Sequence, residues 1–329
     1  MHMPRVTILL PVHNGENYLA ESVGSILEQD LRDFELHILD DDSSDGSASV
    51  AQSTGDPRVR YSRNSSRFGL FKTLNRGFEE ARTELIRIWS HDDVMLPGSL
   101  RRFVEFAAAH PSVGMMYSDF FAIDAEGKRT GAESLYCNQR ARTAEVAKPQ
   151  LSALLFWCYG CLPGNISTVM LRRAAWEKVG RFSTGSQQAP DYDMWVRVSE
   201  CYDVGFICEK TIELREHSLQ LGRVGQKQMT TIEEELPVLV RLEERLRGVL
   251  SKDELRRGWV MERGRQHVHW VVKALLRGDF EAMTRGWKAI KAYGQPWSQV
   301  LFWLVSVNGR LFIPDRNKLF DMKASCLTL

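Results

Sequence analysis

Strand-like and helix-like patterns alternate through the first half of this chain, and the alternation limits the fold more than any single motif does. Val6-Thr-Ile-Leu-Leu-Pro-Val12 is a short apolar run of the kind that forms a buried strand. Tyr18, Leu19, Ser22, Val23, Ile26 and Leu27 recur at helical spacing, which predicts an amphipathic helix over 17–29. Phe34–Leu39 reads as a second strand, and Asp40–Gly46 carries turn chemistry with Asp and Ser available as N-caps. A short strand at Val59–Tyr61, a helix over 70–82, a strand at Leu85–Trp89, a helix over 98–109 and a strand at Val113–Asp124 follow. This order predicts an α/β fold of Rossmann-like type, with a mostly parallel sheet and helices on both faces.

The second half is less regular. Asn165–Leu171 resembles a strand, and Asp191–Glu200 a helix with Met194, Trp195 and Val198 on one side. Past residue 222 helical patterns dominate, and 258–277 with 280–293 read as a hairpin joined by Gly278-Asp279. A boundary there predicts a domain over 1–222 and a helical C-terminal extension over 223–329. Trp297, Leu301, Phe302, Trp303 and Leu304 suit a helix face docked on the first domain. With Arg310, Arg316, Lys318 and Lys323 beyond them, they also suit peripheral contact with a membrane surface.

Composition excludes several classes. A formal net charge of +1 gives no electrostatic case for nucleic acid. No apolar stretch approaches the ~20 residues that span a bilayer, and the N-terminus does not read as a signal peptide. The expected location is the cytoplasm, with the inner face of the membrane as the alternative. Six cysteines spread along the 329 residues suit reduced thiols. Cys158-Tyr-Gly-Cys161 lacks the second ligand pair of a zinc site and reads as structural.

In sheets of this type ligands bind beyond the carboxyl ends of the strands. Those ends carry Pro11-Val-His-Asn14, Asp40-Asp41 and, in "RIWSHDDVMLPG", Asp92-Asp93. Neighbouring carboxylates raise each other's cost of ionisation. A hard cation such as Mg²⁺ or Mn²⁺, which takes oxygen ligands and substrate phosphates, relieves that cost. Capping the helix at 98–109 is the plainer alternative for Asp92-Asp93, as turn chemistry is for Asp40-Asp41. Neither G-x-x-x-x-G-K-[ST] nor a G-x-G-x-x-G after the first strand is present, so a backbone phosphate cradle is not signalled.

The segments "VTILLPVHNGENYLAESVGSIL", "FELHILDDDSSDGS", "NRGFEEARTELIRIWSHDDVMLP", "STVMLRRAAWEKVGRFS", "DYDMWVRV" and "LREHS" resemble, in order and spacing, the family 2 glycosyltransferases. They cover about two thirds of the chain. The resemblance implies the GT-A fold and an inverting, metal-dependent transfer from a nucleotide sugar, UDP- or dTDP-linked. It implies Asp93 as metal ligand, Asp92 as ribose or metal partner and Asp41 at the nucleobase. Pro11, His13, Glu16 and Asn75 fall on the donor side. Asp191 takes the place of the catalytic base, and Arg215-Glu-His217 that of an Arg-x-His facing the diphosphate or metal, with His217 a second metal ligand. Two departures stand out. Pro190 occupies a place where the family often has Glu, which makes Asp193 a rival base. Ser90-His91 precede the acid pair, where many members have a small residue and another Asp.

In the implied chemistry a single base removes the proton of an acceptor hydroxyl as its oxygen attacks the anomeric carbon. No covalent sugar–enzyme step is required, unlike in retaining glycosidases. The implied partners are the sugar nucleotide and a glycan, lipid-linked or protein acceptor, in surface polysaccharide or glycan synthesis. An inactive sugar-nucleotide binder or scaffold on the same fold is the alternative from another class. A nucleotidyltransferase would carry a Gly-rich basic loop where this chain has His13-Asn-Gly-Glu16.

Overall fold

The computed structural model describes residues 4–133, 146–185, 189–216, 230–251, 265–293 and 297–301. The backbone divides into two compact units, one of 1–147, 163–185 and 197–217, the other of 148–162, 186–196 and 218–329. The expected boundary at 222 lies outside the described residues, and the second unit also takes in two earlier segments.

The first unit holds a ten-stranded mixed sheet among the described residues. Its strands are β1 (Val6–Val12), β2 (Phe34–Asp40), β3 (Val59–Arg63), β4 (Leu85–Ile88), β5 (Val94–Met95), β6 (Val113–Ile123), β7 (Arg129–Glu133), β8 (Val146–Ala147), β9 (Val169–Arg172) and β10 (Asp203–Arg215). The order is β3-β2-β1-β4-β9-β6-β10-β5, with β7 on β6 and β8 on β10. β1 is parallel to β2 and β4, β2 to β3, and β6 to β10. β9 is antiparallel to both β4 and β6, so β6 and β10 run in the same direction as β1–β4. The expected parallel sheet therefore holds for the direction of six strands, while β9 and the short edge strands make the whole mixed. The consequence for function is that β1, β2, β4 and β10 all end at one edge.

Both faces are covered. Ile8, Leu10, Leu36 and Trp89 join a core with Leu19, Val23 and Ile26 of α1 (Glu16–Leu27), Ala51 of α2 (Ser47–Ser53) and Leu100 and Phe103 of α4 (Ser99–Ala109). Leu9 and Leu39 point to the other face, where α3 (Leu70–Glu80) presents Gly77. A Cβ there would lie 2.5 Å from Leu39 Cδ1 and 3.1 Å from Leu9 Cδ2, so this contact requires glycine. Phe78 of α3 stacks on Trp176 of α6 (Arg173–Val179) at 5.2 Å.

The second unit is helical. It contains α5 (Pro149–Tyr159), α7 (Pro190–Cys201) as far as Val196, α8 (Thr230–Leu246), α9 (Arg265–Leu276) and α10 (Phe280–Tyr293). α8 packs on α5 and α10. The hairpin of α9 and α10 turns at Gly278, whose φ of 72° suits glycine. Its seam is Ala274, Ala282 and Ala289 with Val268, Val271 and Ile290. No helix among the described residues is long and apolar enough to cross a membrane. Phe302, Trp303 and Leu304 lie outside the described residues; Trp297 and Leu301 are exposed.

Candidate active site

Three loops meet at the carboxyl edge of the sheet. The loop after β1 is laced to the loop after β2. His13 Nδ1 lies 2.9 Å from the carbonyl oxygen of Asp41, and Asn14, at φ 53°, accepts from the Ser44 amide at 2.8 Å. Glu16 is used twice: its amide donates to Asp45 Oδ2 at 3.0 Å, and its carboxylate accepts from the Gly46 amide at 2.6 Å. Pro11 is buried within β1.

Asp41 is 4 % exposed, and its carboxylate organises the turn that starts α3. Oδ1 accepts from Asn64 Nδ2 and the Phe68 amide, each at 2.7 Å, and from Thr73 Oγ1 at 3.0 Å; Oδ2 accepts from the Gly69 amide at 2.7 Å. Burial pushes this carboxyl up, but the four hydrogen bonds outweigh it and hold it below the usual range. Three donors crowd Oδ1, so Oδ2 is the oxygen with room for a further donor.

The acid pair after β4 is buried, with Asp92 6 % and Asp93 1 % exposed. Ser90 Oγ donates to Asp92 Oδ1. Asp93 accepts from Ser167 Oγ at 2.6 Å and from the Arg215 amide at 3.0 Å. Ser167 in turn accepts from the Ser90 amide at 2.9 Å, so one hydroxyl joins the loop after β4 to the 3₁₀ turn Ile166–Thr168. Arg87, fully buried on β4, fixes the same turn by donating to the Thr168 carbonyl at 3.0 Å, with its guanidinium 3.9 Å from the Phe103 ring centre. Burial lowers its pKa to about 9.

Arg215 ends β10 beside the pair, as the strand directions require. Its guanidinium is 2 % exposed, and it donates to the carbonyls of Asp92, Asp124 and Ala125 and to Glu21 Oε2 at 2.6 Å. Tyr18 lies under its face at 4.6 Å. The resemblance implied a guanidinium facing the diphosphate or metal; here it ties the loop that carries the acids, through the Asp92 carbonyl, to the turn after β6. Asn75 was expected on the donor side. Its amide makes a reciprocal pair with the backbone of Phe182, at 3.0 and 2.9 Å, and so ties α3 to a later segment. His217 lies outside the described residues.

The imidazole of His91 packs on the backbone of Gly15. A Cβ at Gly15 would fall 2.3 Å from His91 Cδ2 and 2.8 Å from Val12 Cγ2, so Gly15→Ala must displace both side chains. It should lower stability by about 1–3 kcal/mol in urea unfolding. The double variant with His91→Ala should recover the part due to His91; no recovery would place the strain elsewhere.

Burial and the neighbouring charge of Asp92 push the Asp93 carboxyl well above the usual range, and Ser167, the Arg215 amide and the Arg215 charge do not offset them. Two carboxyls this close and this buried resist being ionised together unless a positive charge joins them. Two hard oxygen ligands in that position fit a divalent cation. Among the described residues no group of three or more His, Cys, Asp and Glu side chains is arranged to hold a metal ion.

In the second unit, Asp191 sits in the first turn of α7 and accepts from the Tyr192 amide at 2.8 Å, with Cys161 Sγ 4.0 Å from Oδ2. Burial, with Glu235 and Glu234 adding to it, raises its carboxyl to about 6. Asp193 pairs with Arg241 at 3.6 Å. Ser167, Glu21 and Glu234 are site-shaping residues that the sequence did not flag. Asn165 capping Ser167 at 2.8 Å, an Asn-x-Ser before an apolar run, was the one visible signal.

The family model for glycosyl transferase family 2 matches residues 7–179, more than half of the chain. The chain belongs to glycosyl transferase family 2. Like the other members of that family it is a glycosyltransferase, and its sheet is that of the GT-A fold. An uncharacterized glycosyltransferase of Rickettsia prowazekii is 25 % identical over 238 residues, 71 % of each chain. An uncharacterized protein of Mycobacterium tuberculosis is 30 % identical over 230 residues, 65 % of this chain and 68 % of that one. The S. aureus TarS 1–349 structure in complex with UDP-GlcNAc superposes with a TM-score of 0.59 at 14 % identity, covering 94 % of this chain and 95 % of that one, which supports the fold.

Proposed function

We propose that this family 2 transferase moves a sugar from a nucleoside diphosphate donor, UDP- or dTDP-linked, to an acceptor hydroxyl with inversion. The observation that carries the reading is the acid pair buried at the strand edge, where burial and repulsion raise the Asp93 carboxyl. Asp93, with Asp92 and the motif residue His217, would hold Mg²⁺ or Mn²⁺, which when bound supplies positive charge against the departing diphosphate. Ser167 and the Arg215 amide orient Asp93. Arg215 acts through the loop it clamps. The loops carrying Pro11, His13, Glu16 and Asp41 form the nucleoside side, with Oδ2 of Asp41 open to the imide N–H of uracil or thymine. Asp191 takes the acceptor proton; its raised carboxyl is still ionised at neutral pH and is a stronger base than an ordinary aspartate. Arg241 offsets the charge of Asp193, which favours Asp191 over its neighbour. The transferase chemistry belongs to the 1–222 region, and the helical extension contacts an acceptor or a membrane surface through Trp297 and Leu301. Surface polysaccharide or glycan synthesis at the cytoplasmic face, on a glycan, lipid-linked or protein acceptor, fits this arrangement. Some support comes from S. aureus TarS, whose crystal structure is in complex with UDP-GlcNAc.

Thermal shift against nucleoside diphosphates with and without Mn²⁺ tests the donor side, because selective binding stabilises the fold by mass action. UDP or dTDP should raise the Tm with Mn²⁺ and do so much less with EDTA, and CDP should do less than UDP. Equal shifts for CDP and UDP would remove Asp41 from the nucleobase.

A further inference from the structure

The first turn of α7 is held by a carboxylate from another helix. Ala189 is the residue before the helix, and the Asp193 amide closes the first helical bond on its carbonyl at 3.0 Å. The Ala189 amide is itself one of the donors that a helix start leaves unmatched. In a capping box, a Glu or Gln three residues after the cap accepts from that amide. Here that place is Tyr192, which is 1 % exposed and donates its hydroxyl to the Phe156 carbonyl at 2.7 Å. Pro190, the first helical residue, brings no amide hydrogen and no carboxylate. Glu234 of α8 supplies the missing acceptor: its Oε2 takes the Ala189 amide at 3.0 Å.

We propose that Glu234 is a positioning residue for Asp191, replacing from α8 the carboxylate that Pro190 and Tyr192 cannot provide. The proposal rests on the reading of Asp191 as the base. The charge does two things. It complements the positive end of the helix, and it adds repulsion that makes the Asp191 carboxylate hold a proton more strongly. Among the described residues of this unit, the ionisable groups around Asp191 include Asp193 on the same helix, Cys161 beyond α5, and Glu234 and Glu235 on α8. Arg241 pairs with Asp193, and His267 of α9 lies 3.8 Å from Glu235. Glu235 acts through its charge, whereas Glu234 also holds backbone.

Carbon-13 NMR of protein labelled at the aspartate carboxyls tests this without donor or acceptor. The Asp191→Asn variant identifies the Asp191 signal by its loss. In the parent that signal should titrate near pH 6. In Glu234→Gln, which keeps an acceptor oxygen for Ala189 but loses the charge, the midpoint should fall measurably below the parent's, while burial and Glu235 still hold it above the ordinary aspartate value of about 3.9. In Glu234→Ala the Ala189 amide should also exchange roughly tenfold faster, the loss of one hydrogen bond. A parental midpoint in Glu234→Gln together with parental exchange in Glu234→Ala overturns the proposal; should Glu234→Ala fail to fold, the Gln variant decides it. Turnover of UDP-GlcNAc by Asp191→Asn separates the two claims. Parental turnover there sinks the base assignment, whereas an inactive Asp191→Asn beside Glu234 variants that titrate like the parent sinks only the role of Glu234.

Discussion

Asp93→Ala should abolish cation-dependent binding of nucleoside diphosphates while leaving the protein folded. The carboxyl is buried beside a second acid, and a bound cation would favour its ionised form. Removing one member of a buried, hydrogen-bonded charge pair costs about 2–5 kcal/mol of binding. Titration calorimetry with UDP in Mn²⁺ should therefore show the heat of the parent and almost none for the variant. The fold itself loses little. Ser167 Oγ and the Arg215 amide each lose an acceptor, at about 1–3 kcal/mol for a buried donor, and the removal of repulsion with Asp92 works the other way. Parental affinity in Asp93→Ala, still dependent on Mn²⁺, would take the metal role away from Asp93.

Asp191→Asn should cut turnover by about 10²–10⁴-fold with the donor KM unchanged, because a general base acts on the acceptor proton in the transition state. The parent's rate should fall as pH drops through about 6, where the carboxyl takes up a proton. The same group has a signature in stability. Its folded pKa lies above the unfolded value of about 3.9, so its favourable contribution is complete below that value and is lost as pH rises through about 6. At pH 7.5 the folded protein carries an ionised carboxylate in a poor environment. Asp191→Asn should then be the more stable protein, by an upper bound of about 2–3 kcal/mol, with the gain gone near pH 4. Asp193→Asn should instead keep most activity and change stability by about 0–1 kcal/mol, the usual worth of an exposed ion pair such as that with Arg241. A dead Asp193→Asn beside an active Asp191→Asn would reverse the assignment.

Much of the first half was legible because its strands are buried on both faces and read as continuous apolar runs, such as Val6–Val12. The second half hid its longest strand. In Asp203–Arg215 the stretch Cys208-Glu-Lys210 interrupts the apolar pattern, and the ladder with β6 shifts register there. Helix α5 was missed because its apolar residues surround it, with no polar face to set a period; Leu151, Leu154, Leu155, Phe156 and Trp157 are all buried. Helix α8 was blurred by Pro237 in its interior. At the site, residue identity pointed to the acids, whereas the hydrogen bonds around them were not legible. Arg215 was visible as part of Arg-x-His, yet its donors go to carbonyls and Glu21. Asn75 was visible in Asn-Arg-Gly, yet it binds the backbone of Phe182. His91 had no role in the sequence and has a packing role against Gly15.

The anomeric configuration of the sugar first released from an α-linked donor tests the central claim most directly. With UDP-GlcNAc, Mn²⁺ and no added acceptor, water stands in for the acceptor hydroxyl. Proton NMR during the first minutes separates the α and β anomers before they equilibrate. A single displacement assisted by Asp191 predicts the β anomer first, with UDP released in step and both lost in Asp191→Asn and Asp93→Ala. The α anomer first, or release unaffected by either substitution, would contradict the account.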